Sequence, residues 1–179
     1  MKYNLDYITN YIIEYDSGVP NGIIRGVLVT ICGIIIVLSF TSKNGNHFIK
    51  NAAWCLLIGY VFFMMCATIL FRETTDTMRY SLYPFLSYKE LYDKSLAQLL
   101  LNVAMFTPIG FLFGAATRSM NMARILGIGC LLSLTIELIQ LFSRRGVFNI
   151  DDIIHNVLGC ALGYGVFRIC NSLLTAYIK

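Results

Sequence analysis

Five apolar runs, at 23–40, 52–71, 96–116, 125–142 and 153–174, divide this chain, and each reaches the ~18 residues that a helix needs to cross the hydrocarbon core of a bilayer. Hydrocarbon offers no water to backbone N–H and C=O groups, so a chain segment that crosses it has to satisfy them internally, as a helix does. The runs therefore predict an all-α fold: a polytopic membrane helical bundle of about five spanning helices. Only 13% of the residues are charged and 57% are hydrophobic, against about 25% charged in an ordinary soluble chain. The linkers at 41–51, 117–124 and 143–152 are short, which makes antiparallel partners of successive spans. The segment 72–95 is longer and mixed in charge, and is expected to lie along the interface, partly helical, capping the bundle.

Ahead of the first run, Leu5, Ile8, Tyr11, Ile12 and Tyr15 recur at helical spacing against Asp6, Asn10 and Glu14, and tyrosines favour the membrane interface. Residues 1–20 thus read as an N-terminal interfacial helix, ended near Gly18 and Pro20, with 21–179 as a single transmembrane domain. The acids in this stretch do not fit a cleaved secretory signal. The net charge of +4 is dispersed over loops, which gives no electrostatic case for nucleic acid; membrane lipids are partner enough. Cys32, Cys55, Cys66, Cys130, Cys160 and Cys170 all fall in apolar runs without a CxxC pair, and read as packing residues. No zinc or calcium loop spacing occurs, and neither a metal nor a cofactor is expected.

The polar residues inside the apolar runs carry the functional reading. A carboxylate at the centre of a spanning helix costs roughly 3 kcal/mol on insertion scales, so Glu137 marks a place where hydrocarbon is kept away. Ser133, Glu137, Gln140 and Arg144 share one face at helical spacing. If successive spans alternate in direction, Arg72, Asn102, Glu137, Gln140, Asp151, Asp152 and Asn156 all approach one membrane face, as groups around a substrate site between helices do. Polar side chains also glue membrane helices together, so Asn102 and Gln140 fit a packing role equally well. Asn149 suits a helix N-cap, with Asp151 and Asp152 in the first turn, where the helix dipole favours acids. Asp152, Asn156, Gly159 and Gly163 then share a face that is expected to pack on the Glu137 stripe, while Asp151 and His155 share another. Arg144 and Arg145, in a tight turn before Gly146, are either interfacial anchors or a clamp for phosphate or carboxylate, and Arg72 divides in the same way. Pro108 and Gly110 are expected to kink their span.

No GxSxG elbow, HExxH pair or phosphate-cradling glycine loop is present, so any catalysis falls to carboxylates, with Glu137 or Asp152 as base. The leading reading is a binding or accessory protein that holds or alters a lipid-linked molecule, and the runner-up is such an enzyme, acting on a lipid or cell-wall precursor head group. Transport is a weaker third, because a chain this short shows no two-half inverted repeat.

The stretches LLNVAMFTPIGFLFG and SLTIELIQLFSRRGVFNIDDIIHNVLGCALGYG, with Arg72 and SLYPF before them, resemble the VanZ-like membrane protein family over roughly residues 55–170. The ordered set is Asn102, Pro108, Gly110, Glu137, Gln140, Arg145, Asp151 or Asp152, Asn156 and Gly159, with two arginines competing for the turn position. The resemblance implies a bacterial cell-membrane protein associated with low-level resistance to teicoplanin, a lipoglycopeptide. A lipoglycopeptide or a lipid-linked cell-wall precursor is then a candidate partner, and the oligomeric state is open. Basic-residue counts leave orientation undecided: the loops at 41–51 and 117–124 and the tail hold five basic residues and no acid, against eight beside nine acids on the other face. The resemblance implies that the Glu137 and Asp152 end faces outward.

Overall fold

In the computed structural model, residues 46–70, 74, 76–84, 92–117 and 120–177 are described. The interfacial stretch at 1–20, the run at 23–40 and Arg72 lie outside them. The elements are α1 (Asn46–Met65), continuing into a π-helical turn (Cys66–Leu70), β1 (Arg79–Ser81), α2 (Tyr92–Thr117), α3 (Met122–Phe142), β2 (Val147–Asn149) and α4 (Ile150–Tyr177). Four helical stretches are long and apolar enough to cross a membrane: Lys50–Ile69, Leu96–Thr117, Met122–Phe142 and Ile150–Ala176. They correspond to the last four apolar runs of the sequence.

α1 and α3 run toward one end of the bundle, and α2 and α4 start there. Trp54 meets Phe113 edge-on at 5.9 Å and the Tyr60 hydroxyl donates to Met105 O at 2.9 Å, so α1 and α2 are antiparallel. The most extensive contact joins α2 to α4, which are parallel and not successive in sequence. Phe111 meets Phe167 edge-on at 5.9 Å, and a Cβ added to Gly159 or Gly163 would collide with the carbonyls of Val103 and Thr107. Gly110 presses in the same way against the Cys160 carbonyl. Without a hydrophobic drive between helices in lipid, such close backbone approach is what holds two spans together through dispersion. This corrects two expectations. Gly159 and Gly163 pack on α2 and not on the Glu137 stripe of α3, and successive spans α2 and α3 touch each other far less than each touches α4. α2 continues through Pro108 as one helix.

The core follows this geometry. Leu57, Tyr60, Met64, Phe106, Ile109, Leu112, Ile136 and Cys160 form one buried cluster among the four helices. A second, with Ala53, Phe111, Ala115, Ile125, Tyr164 and Phe167, lies nearer the other end. Half of the apolar window of α2 is buried, against a third or less for each of the other three, so α2 is the most enclosed of them.

At the end where α4 begins, β1 and β2 form a two-stranded parallel sheet with Arg79, Tyr80 and Ser81 opposite Val147, Phe148 and Asn149. Within the 72–95 segment, expected to be partly helical, the described helix is the opening of α2 from Tyr92, and the strand was not expected. Three ladder residues on each side are too few to leave a period in the sequence, and their pairing joins two loops far apart in the chain.

Candidate functional site

Ser133, Glu137 and Gln140 lie on one stripe of α3 and are buried, at 0%, 3% and 3% exposure, so the carboxylate faces protein and not lipid. Arg144 does not extend that stripe. α3 stops at Phe142, and the chain closes it with a Schellman motif: Ser143 is the cap, the Arg144 N–H donates to Leu141 O at 3.2 Å and the Arg145 N–H to Gln140 O at 2.9 Å. Arg144 occupies the left-handed position of this motif, with φ at 57°, and its side chain is exposed. Glycine is usual at that position, and Gly146 stands two residues too late to take it.

Arg145 turns the other way. Its Nη1 donates to Ile69 O at 3.3 Å, and Gln140 Nε2 donates to Thr68 O at 3.1 Å. Both acceptors sit in the π-helical turn that ends the first described span, where the last carbonyls have no partner within the helix. The end of α3 therefore completes the end of α1.

The start of α4 is built around Asn149. Its side-chain Oδ1 accepts from the Asp151 N–H at 3.1 Å, the N-cap bond expected from the sequence. Its Nδ2 donates to Asp152 Oδ1 at 3.3 Å, and its backbone N–H donates to Glu137 Oε2 at 2.9 Å. One residue thus links the carboxylates of α3 and α4. Asp152 also receives Gln98 Nε2 from α2, at 3.2 Å to each carboxylate oxygen. One turn deeper, Asn156 Nδ2 donates to Ser133 Oγ at 2.8 Å. Asp151 and His155, one turn apart on α4, are both buried.

The side chains that sequence reading brought to one face are therefore assembled at one end of the bundle: Glu137 and Asp152 linked through Asn149, Asn156 bonded to Ser133, and Gln140 and Arg145 against α1. Asn102 is on α2, one turn beyond Gln98, and its Nδ2 is buried without a hydrogen-bond partner among the described residues, as is Asn156 Oδ1. Gln98 was missed. Its signal was an amide one turn before Asn102 at the edge of an apolar run, the same kind of signal that picked out Asn102. The carbonyls of Thr68 and Ile69 carry no signal in side-chain chemistry at all. Among the described residues no three His, Cys, Asp or Glu side chains are grouped so as to hold a metal ion.

Three of the buried groups at this end are carboxylates, Glu137, Asp151 and Asp152, and the partners described for Glu137 and Asp152 are amides. Amide N–H groups orient the carboxylates to which they donate. Such a set can hold hydroxyl or ammonium groups directly, and Arg144 supplies an exposed guanidinium at its rim.

No curated protein and no solved structure matches the chain. The VanZ/LLP1 family model matches residues 27–171, a span that holds every candidate residue from Arg72 to Asn156 and begins within the 23–40 run, earlier than the motif residues alone indicated. With that match over most of its length, the chain belongs to the VanZ/LLP1 family.

Proposed function

We propose that this is a multi-pass protein of the bacterial cell membrane that contributes to low-level resistance to teicoplanin by binding a lipid-linked molecule at the outward-facing end of its bundle. The observation that carries the reading is the link from Glu137 through Asn149 to Asp152. It unites acids from two membrane-spanning helices in a buried polar set, where hydrocarbon alone would reject them. Buried polar groups arranged between helices at one depth are what a membrane protein needs to recognise a head group. The polar loops carrying β1 and β2 stand at the same end, where such a head group arrives from the interface.

The reading as a binding site is supported by the N–H groups of Asn149 and Gln98, which fix the orientation of Glu137 and Asp152. The test compares cells with the protein, without it, and with Glu137→Gln, by teicoplanin susceptibility and by mass spectrometry of total lipids. Binding predicts that resistance is lost in the variant while the lipid head groups stay the same in all three. A head group that changes with the wild-type protein alone supports an enzyme with Glu137 or Asp152 as base. Equal susceptibility in all three strains overturns the proposal.

A further inference from the structure

We infer that the deeper part of this site, between Asn102 and Asn156, takes a hydroxyl group of a neutral head group of the sugar or glycerol class; the inference rests on the lipid-binding reading above. Asn102 on α2 and Asn156 on α4 stand at the same level of two parallel helices. On one side of that level Gln98 donates to Asp152, and on the other Val103 lies against Gly159. Asn102 Nδ2 and Asn156 Oδ1 are each buried without a hydrogen-bond partner among the described residues, although Asn156 is only 5% exposed and its other amide atom is held by Ser133. Polar atoms left unpaired inside a membrane bundle are costly, and two of them at one level from two helices mark a position for a group that completes both.

The chemistry of that group follows from its surroundings. It has to accept from Asn102 and donate to Asn156. A hydroxyl oxygen, with one hydrogen and two lone pairs, also serves if the Asn156 amide is turned end for end, because Ser133 Oγ can donate as well as accept. A fully ionised phosphate has no proton to give to Asn156 Oδ1.

The full-length protein in mixed micelles at alkaline pH, where phosphatidic acid is doubly ionised, offered monoglucosyl diacylglycerol and phosphatidic acid of the same acyl chains, tests this by native mass spectrometry of retained lipid. The glycolipid is expected to be retained about tenfold or more over phosphatidic acid, the discrimination of two ordinary hydrogen bonds. Asn102→Leu, close in volume, should erase that preference while leaving the unfolding temperature in lipid-free detergent equal to or above that of wild type, because it removes an unpaired donor and no bond. A variant that unfolds earlier, or one that keeps the preference, overturns the inference. Equal retention of the two lipids by wild type overturns the hydroxyl position and leaves lipid binding standing. Retention of neither above background overturns both.

Discussion

The backbone N–H of Asn149 donates to Glu137 Oε2 at 2.9 Å across the turn that joins α3 to α4, so an acid within a spanning helix is held by the main chain at the start of the next. Charge-assisted bonds of this kind contribute roughly 1.5–3 kcal/mol when buried. Glu137→Gln keeps an oxygen for that N–H and is expected to unfold at nearly the wild-type temperature, whereas Glu137→Ala leaves the amide unanswered and is expected to lose about 2 kcal/mol. Thermal unfolding in detergent separates the two. Equal losses for both would mean that the charge, and not the bond to Asn149, is what the fold uses.

Asp152 receives two bonds from the Gln98 amide on α2. Replacing Gln98 by methionine, similar in length and without donors, is expected to cost about 1–3 kcal/mol, because a buried carboxylate then loses both. Combined with Asp152→Asn in a double-mutant cycle, the loss should shrink. Strict additivity of the two changes would show that the bonds contribute nothing.

Gly163 lies against the Thr107 carbonyl so closely that any Cβ overlaps it, while a Cβ on Gly165 meets no heavy atom within 4 Å among the described residues. Gly163→Ala is expected to force α2 and α4 apart and to cost roughly 1–3 kcal/mol. Gly165→Ala, on the same helix, should be neutral or stabilise by up to about 1 kcal/mol through helix propensity. The pair is read by unfolding in detergent, and similar behaviour of the two variants would remove the close approach from the account of this interface.

Arg144 holds a left-handed backbone at φ 57° that costs a non-glycine residue about 1–2 kcal/mol. Arg144→Gly is therefore expected to raise stability by about 0.5–1 kcal/mol. If teicoplanin resistance falls in the same variant, the exposed guanidinium acts on a ligand at the rim. Arg145→Gln should behave oppositely and lose stability, because Arg145 closes the end of α1 through Ile69 O. A stability loss at Arg144 greater than at Arg145 would reverse these roles.

The sequence by itself determined the four described helices that are long and apolar enough to cross a membrane, and which end of the bundle is polar. Length and hydropathy of a run are local properties, and alternation of short-linked spans brings Asn102, Glu137, Gln140, Asp151, Asp152 and Asn156 to one end whatever the packing. The N-cap at Asn149 was legible for the same reason, since a cap and its first turn are neighbours in the chain. Only the tertiary structure decided that α4 packs its glycines on parallel α2, that three residues of the 72–95 segment pair with Val147–Asn149, that Arg144 and not Gly146 turns left-handed, and that Arg145 is the one that reaches α1. Each of these depends on which backbone atoms meet across the bundle. Apolar faces of spanning helices are chemically alike, so hydropathy says that a helix has partners and leaves the choice among them to shape and to the carbonyls and amides exposed at the helix ends.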